Sequence, residues 1–179
     1  MRRGGFTLTE LMIALAVVAI LAGMASPEFQ SMIARQQMRA AVNDLATAID
    51  LTRSLAIARG SVVVLAPVDA AGEAWEQGWS VFTDRNGNSR RDPGEELIFE
   101  ERPAAAGMHI RSAFSSSTGP EYVAYNGAGR GCQSDNSQAA RWGTLTLEFG
   151  TQRRLIKINM LGRVRVCDPK TQPSCTGAD

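Results

Sequence analysis

The sequence predicts an α+β protein, in which a long N-terminal α-helix precedes a C-terminal antiparallel β-sheet domain. Residues 11–25 form an unbroken apolar stretch, and residues 28–59 carry apolar side chains at helical spacing. After Gly60 the chain changes to short runs that are rich in β-branched residues and bounded by glycine. An amphipathic helix followed by such strands is expected to bury its apolar face against a sheet.

The helix is expected to run from residue 6 to residue 59 and to end at Gly60, since glycine is the common residue after a helix C-terminus. At 1.5 Å per residue it would be roughly 80 Å long. Residues 6–27 are apolar on all sides, which indicates a protruding hydrophobic or transmembrane helix. Residues 28–60 form the amphipathic half, which is expected to pack on the sheet.

Residues 61–179 form the β-rich head, with a basic C-terminal strand and tail. Strands are expected at 61–66, 78–83, 96–101, 108–113, 121–125, 143–149, 153–160 and 162–167. The last three of these are expected to be consecutive antiparallel strands with tight turns at Gly150 and Gly162. Four aromatic residues are interpreted as core or sheet-face residues: Trp75, Trp79, Phe82 and Trp142.

Three interpretations of the N-terminal segment compete. A secretory signal would have its small-residue cleavage site after the apolar core, whereas here Gly4 and Gly5 precede it. An uncleaved anchor would be marginal against the ~20 residues that a span needs. Neither interpretation explains Glu10, because an isolated charge in hydrocarbon costs roughly 2.5–3.5 kcal/mol.

The third interpretation is a prepilin signal, since Gly5, Phe6, Thr7, Leu8 and Glu10 resemble the class III signal of type IV prepilins. The resemblance implies cleavage between Gly5 and Phe6 by a prepilin peptidase, which removes the leader 1–5, and N-methylation of Phe6. It also implies a single-pass precursor in the inner membrane and, after assembly, an extracellular pilus in which residues 6–27 form part of the filament core. In a filament with other major and minor pilins, Glu10 would neutralise the Phe6 amine of a neighbouring subunit.

The head resembles the FimT/GspH-like minor pilins and pseudopilins, and FimT most closely. Two elements carry this likeness, which covers nearly the whole chain: Trp75-x-x-Gly78-Trp79-x-Val81-Phe82-x-Asp84, and Gly162-Arg163-Val164-Arg165. The resemblance implies the type IV pilin fold.

The late arginines predict an anion site. Residues two apart in a strand share a face, so Arg163 and Arg165 would project together while Val164 and Val166 turn inward. Four further basic residues would extend the patch: Lys157, Arg153, Arg154 and Lys170. Resemblance to FimT implies sequence-independent, salt-sensitive binding of double-stranded DNA through its phosphate backbone during natural transformation. No aromatic residue is interleaved with these arginines, so base stacking is not expected.

The alternative function is structural. A minor pilin that primes filament assembly, or a GspH-like pseudopilin of type II secretion, would share the signal, the helix and the head without binding DNA. The late arginines would then contact neighbouring pilins. The chain shows no arrangement typical of a nucleophilic or acid–base enzyme, and no enzyme activity or cofactor is expected.

The three cysteines predict one disulfide and one remaining thiol. The Cys167–Cys175 pair, which is slightly favoured, would staple the tail, while Cys132 with Cys167 would tie a loop to the last strand. Their spacings do not indicate a metal site.

Residues 84–95 contain oxygen side chains at the spacing of an EF-hand calcium loop. Ser89 replaces the glycine that such loops need, and three arginines lie within the segment. The favoured interpretation is therefore a hairpin loop whose Asp and Asn side chains hold turns, with no metal bound.

Overall fold

The computed structural model describes residues 7–116 and 119–175, apart from the side chains of residues 22–28 and 173. The leader 1–5 and the Gly5–Phe6 bond, where cleavage and methylation are predicted, lie outside the described residues. Two compact units divide the chain, Met1–Gln36 and Gln37–Asp179.

One long helix, α1 (Leu8–Arg59), confirms the predicted N-terminal helix. Its C-terminus is a Schellman motif, because the N–H of Gly60 donates to the Ile57 carbonyl and the N–H of Ser61 donates to the Ala56 carbonyl, both at 3.3 Å. Gly60 has a φ of +62°, which a residue without a Cβ adopts at little cost.

In the first unit, the large apolar side chains that the structure describes are exposed, as Leu11, Ile13 and Val18 illustrate. No helix within the described part of the chain reaches the length and apolarity that crossing a membrane requires. The transmembrane or filament-core role of residues 6–27 stays a prediction.

In the second unit, α1 buries one face. Its buried residues recur at spacings of three and four, which is the pattern of an amphipathic helix: Met38, Ala41, Val42, Leu45, Ala48, Ile49, Thr52 and Ala56. Leu45 and Ile49 are fully buried, so the predicted amphipathic half does pack on the strands of the head. Ile33, which the helical pattern also includes, is exposed and belongs to the first unit.

The described part of the head contains β1 (Val63–Pro67), β2 (Trp79–Phe82), β3 (Leu97–Glu100), β4 (Met108–Phe114), β5 (Val123–Tyr125), β6 (Gly143–Phe149), β7 (Gln152–Ile158) and β8 (Val164–Cys167). Each lies within two residues of a predicted strand. Single turns of 3₁₀ helix occur at Trp75–Gln77 and Pro173–Cys175.

The strands form two antiparallel sheets where the sequence predicts a single one. Sheet 1 has the order β3-β2-β1-β5, and sheet 2 has the order β4-β6-β7-β8. β4 pairs over its whole length with β6, from Met108 opposite Phe149 to Phe114 opposite Gly143, and not with β3. This long-range pairing separates the second sheet from the first.

One core joins α1 to both sheets. Leu45 of α1, Leu65 of β1, Leu145 of β6 and Ile156 of β7 are all fully buried in it. Each such side chain contributes roughly 1.5–3 kcal/mol relative to exposure. Trp75, Trp79 and Phe82 are buried, as predicted.

Candidate nucleic-acid interface

Three basic side chains meet on the outer face of sheet 2, where β8 pairs with β7. Lys157 lies directly opposite Arg165. Arg163 lies just before β8, but the N–H of Asn159 donates to the Arg163 carbonyl at 3.1 Å and continues the pairing of β7 with β8 by one residue. Alternation then directs Arg163 to the same face as Arg165 and Lys157. On the other face, Ile158 lies opposite Val164, which packs against the core. We call Lys157, Arg163 and Arg165 the basic cluster.

Val166 departs from the expectation that it turns inward with Val164. It shares a face with Val164 and lies opposite the buried Ile156, yet 42% of its surface is exposed. β8 is the edge strand of sheet 2. A side chain on an edge strand has a neighbouring strand on one side only, which leaves Val166 open to solvent.

The turn between β7 and β8 is built around Asn159. Its side-chain oxygen accepts the N–H of Leu161 at 3.0 Å and the N–H of Arg163 at 2.9 Å. Gly162 donates its N–H to the Asn159 carbonyl at 2.8 Å. This network fixes the backbone that presents Arg163, a role that sequence reasoning missed although Asn and Gly are typical turn residues.

The C-terminal tail folds back beside the basic cluster. A disulfide joins Cys167 to Cys175, the pairing that the sequence slightly favours, while Cys132 is a buried free thiol. The Arg165 guanidinium donates to the Ser174 hydroxyl at 3.0 Å. Both bonded cysteines pack with Leu155 in a small buried cluster, so the disulfide holds the tail against the outer face of sheet 2.

Two of the other predicted basic residues lie at the far end of that face. Arg153 precedes Lys157 by four residues on β7, which corresponds to about 13 Å along the strand. Its Nε lies 3.5 Å from a Glu148 carboxylate oxygen. Lys170 donates to the Thr151 carbonyl at 2.6 Å, beside the turn between β6 and β7. These cations are therefore separate from the basic cluster.

Arg154 lies on the opposite face of sheet 2. It stands next to Leu147 of β6 in the register, on the same face as the core residues Ile156 and Ile158. Its guanidinium pairs with Asp168 at 2.9 Å. The structure does not bring Arg154 together with the arginines of the basic cluster.

A groove of about 730 Å³ runs across the outer face of sheet 2 and contains an aromatic residue that sequence reasoning did not connect with the arginines. Its lining includes Lys157 and Arg153 together with Trp142, Thr144 and Thr146. Trp142 is 41% exposed. No aromatic residue is interleaved with the arginines in the sequence, but the register of β6 with β7 brings Trp142 near Lys157 of the basic cluster.

Glu10 forms a capping box at the start of α1. Its carboxylate accepts the N–H of Thr7 at 3.1 Å and the hydroxyl of Thr7 at 3.2 Å, and Thr7 Oγ1 in turn accepts the N–H of Glu10 at 3.3 Å. The sequence Thr7-Leu8-Thr9-Glu10 has the spacing of this motif, in which two unpaired helix donors are satisfied reciprocally. Glu10 thus has a local partner in addition to any partner in a filament.

The loop 84–95 has the bonding of a turn-rich hairpin loop. The Asp84 carboxylate accepts the N–H of Gly87 at 2.7 Å and that of Ser89 at 2.8 Å. Glu95 accepts the N–H of Arg85 and of Asp92. Burial raises the pKa of Asp84, and these backbone donors partly offset the rise. The carboxylates therefore serve as turn acceptors, as the hairpin interpretation predicts.

Comparison with known proteins agrees with this architecture. The profile of the family described as "Type II transport protein GspH" matches residues 41–162. The profile described as "Prokaryotic N-terminal methylation motif" matches residues 1–26. The two matches together cover the beginning and the end of α1 and most of the head.

A crystal structure of the type IV minor pilin FimU of Pseudomonas aeruginosa superposes with a TM-score of 0.57, at 16% identity, over 76% of this chain and 92% of that chain. The pilin-like protein PilA1 of Thermus thermophilus is 37% identical over 98 residues, which is 54% of this chain and 58% of PilA1. A fimbrial protein of Pseudomonas aeruginosa is 42% identical over 60 residues, which is 34% of this chain and 38% of that protein. The chain thus spans less than two thirds of the length of these two sequence relatives.

A long N-terminal helix followed by antiparallel sheets, with a methylation motif at its start, defines the class of type IV pilins and pseudopilins. Within that class, the chain belongs to the GspH family. The family consists of structural pilins and pseudopilins and not of enzymes.

Proposed function

We propose that the head of this protein binds extracellular double-stranded DNA through the basic cluster, for uptake during natural transformation. The observation that carries the proposal is the register that sets Lys157 opposite Arg165, with Arg163 on the same exposed face. The sequence around these arginines resembles that of the FimT branch of the family. This resemblance implies that the arginines bind DNA.

The spacing of the basic cluster suits a phosphate backbone. Neighbouring strands lie about 4.8 Å apart and residues two apart in a strand about 6.6 Å apart. A DNA strand carries one charge per about 3.4 Å along its axis, so the cluster spans two or three phosphates. The two guanidiniums offer forked donors to phosphate oxygens. Such contacts read no bases, so binding is independent of sequence.

Arg153 and Lys170, which line a second pocket beside the turn between β6 and β7, would form a second, weaker contact. Arg153 is partly engaged by Glu148, and Lys170 by the Thr151 carbonyl. Arg154 is left out of the interface because it pairs with Asp168 on the other face.

The test is a titration of labelled duplex DNA with the full chain in a non-ionic detergent, read by gel shift and fluorescence anisotropy at several salt concentrations. Three phosphate contacts predict a log–log salt slope of about −2.7, which is about a 40-fold loss between 50 and 200 mM salt. In Arg163→Gln/Arg165→Gln the slope should fall to about −1 and the affinity should drop sharply.

A matched control is Arg85→Gln/Arg91→Gln, which removes the same charge from exposed positions in the loop 84–95. This variant and Arg154→Gln should bind like the wild type. Equal losses in the control and in the double variant would show that only net charge matters. No binding by the wild-type chain at tens of micromolar would reject the proposal.

The alternative function is a subunit that primes filament assembly without DNA, as the GspH family match allows. Under this alternative, the contact of Arg165 with Ser174 and the exposed Arg163 would belong to a surface for neighbouring major or minor pilins. Arg163→Gln/Arg165→Gln would then reduce incorporation into filaments while no DNA binding is detected.

Processing at the N-terminus is part of the proposal. A prepilin peptidase would cut between Gly5 and Phe6 and the new Phe6 amine would be methylated, with the precursor held in the inner membrane before assembly into an extracellular pilus. The match of residues 1–26 to the methylation motif supports this sequence of events. Gly5→Leu should accumulate as uncut precursor on an immunoblot, and wild-type processing of that variant would mean that the cut lies elsewhere.

Glu10 would pair with the Phe6 amine of a neighbouring subunit during assembly. Glu10→Ala removes both this pair and the capping box, whereas Thr7→Ala removes only part of the cap. The Glu10→Ala variant should therefore fail to enter filaments, whereas the Thr7→Ala variant should still be incorporated. Similar incorporation of both variants would leave the cap as the only role of Glu10.

A further inference from the structure

Trp142 is unusual among the tryptophans of this chain. The sequence has three, of which Trp75 and Trp79 are 0% and 2% exposed, while Trp142 is 41% exposed. A large ring left in water on a folded head has no role in the core that the other two share. Its neighbours therefore decide what it can do.

The backbone at Trp142 continues the pairing of β4 with β6 by one residue. The N–H of Ser115 donates to the Trp142 carbonyl at 2.8 Å, and the N–H of Trp142 donates to the Ser115 hydroxyl at 3.3 Å. Trp142 is thus held as an extension of β6. By alternation it shares the outer face with Thr144, which lies opposite Lys157.

This register makes Trp142 a diagonal neighbour of Lys157, at about 7–8 Å between backbones, and Lys157 lies opposite Arg165. The same groove is lined by Trp142, Lys157 and Arg153. The exposed ring therefore stands one strand away from Lys157 of the basic cluster, in a groove that Lys157 and Arg153 also line.

We propose that Trp142 stacks on an unpaired base and that the site therefore prefers single-stranded DNA, or an open DNA end, over an intact duplex. This inference rests on the proposed function, because it assigns a substrate class to the same site. Aromatic faces beside a cationic groove are how proteins hold single strands without reading their sequence. In an intact duplex each base is already stacked, so the ring would have no face to contact.

The fluorescence of Trp142 can report directly on binding in the groove. Because Trp75 and Trp79 are buried, a ligand that stacks in the groove quenches chiefly the Trp142 emission. The experiment titrates the full chain in a non-ionic detergent with oligo(dT) and, separately, with a closed-end hairpin duplex of equal phosphate number. Emission is excited at a wavelength that tyrosine does not absorb, and binding is followed independently by anisotropy of labelled DNA.

Oligo(dT) should quench Trp142 and bind more tightly than the hairpin. Trp142→Ala should lose about tenfold or more in affinity for oligo(dT) and much less for the hairpin. Trp142→Phe keeps a ring and should recover part of the loss, which guards against an effect of misfolding. Ser54→Ala, at an exposed position of α1 outside the groove, should leave both affinities near the wild-type values.

Two outcomes separate the inference from the function beneath it. Duplex binding that depends on Arg163 and Arg165, with no quenching and no effect of Trp142→Ala, would overturn the stacking role and keep the proposed function. The absence of binding to either DNA would overturn both, and Trp142 would then be a candidate contact for another pilin.

Discussion

The hydroxyl of Tyr125 donates a hydrogen bond to the carbonyl oxygen of Gly162 over 3.1 Å. Tyr125 belongs to β5 of sheet 1, and Gly162 lies in the turn before β8 of sheet 2, so this bond ties one sheet to the other. Burial raises the pKa of the Tyr125 hydroxyl above its usual range, so the group stays a donor. The position of the Arg163 backbone depends on a residue of the other sheet.

Tyr125→Phe should lower the free energy of unfolding by about 1–2 kcal/mol, because the buried ring is kept while the Gly162 carbonyl loses its partner. Denaturant unfolding measures the change. Hydrogen exchange at the Arg163 and Gly162 amides should rise in the variant. Unchanged stability together with unchanged exchange would mean that the turn does not depend on this bond.

Gly162→Ala should be more damaging than an ordinary substitution at a left-handed glycine. Gly162 has a φ of +74°, and a Cβ there would lie 2.5 Å from a Tyr125 ring carbon and 2.7 Å from the Gly129 carbonyl oxygen. Gly150, in the turn between β6 and β7, has a φ of +56° with nothing within 4 Å of a Cβ.

Gly150→Ala is therefore the matched control. It should lose only the roughly 1–2 kcal/mol that a residue with a Cβ costs in the left-handed conformation. Gly162→Ala adds the overlap and should cost clearly more in thermal unfolding. Equal losses in the two variants would show that the turn moves aside without penalty.

Much of the fold follows from local pattern. The helical spacing from Ala41 to Ala56 and the β-branched runs after Gly60 locate α1 and the strands closely, because burial of one face imposes these periods. The division into two sheets could not be predicted. It depends on the pairing of β4 with β6, which follow one another in the chain with β5 between them. Local periodicity does not tell which strands pair.

The buried thiol of Cys132 should not react with thiol reagents in the native protein. It is 1% exposed, and burial raises its pKa to about 11, so little reactive thiolate is present at pH 8. Ellman's reagent should find almost no thiol in the native chain and one thiol per chain in denaturant without reductant. Rapid labelling of the native chain would contradict the burial of Cys132.

The disulfide should stabilise the head by roughly 2 kcal/mol, since it closes a short loop with a sequence separation of 8. Cys167→Ala/Cys175→Ala should lose about that amount in denaturant unfolding. Reductant should destabilise the wild type and leave this variant unchanged. A wild type that is insensitive to reductant would mean that packing with Leu155 holds the tail without the bond.

Asp69 should make stability depend on acid pH. Burial alone would raise its pKa, but backbone donors that include Ala71, Glu73 and Ala74 outweigh it and lower the pKa. A carboxyl with a lowered folded pKa stabilises above its unfolded value of about 3.9, and this contribution is lost as the pH falls through the lowered value.

Asp69→Asn should therefore be less stable than the wild type at pH 7, with a gap that narrows progressively below about pH 4. Denaturant unfolding across this range measures it, with Asp50→Asn at an exposed helix position as the control. A gap that is constant with pH would assign the loss to geometry and not to charge.

The candidate site was only partly predictable. Strand alternation pairs Arg163 with Arg165, and the same rule would have separated Arg153 from Arg154, since a step of one residue reverses the face. Trp142 and Lys157 are distant in sequence and meet only through the register of β6 with β7. The role of Asn159 in holding the turn before Arg163 could not be predicted, because it depends on hydrogen bonds that only the structure shows.

The boundary between the two compact units has an evolutionary consequence. Among the described residues, the buried apolar core begins at Met38, just after the first unit ends. Natural selection can therefore change the side chains that precede this point with little cost to the folding of the head. The surface of sheet 2 can diverge independently, so that one inherited fold can carry different exposed surfaces in different lineages.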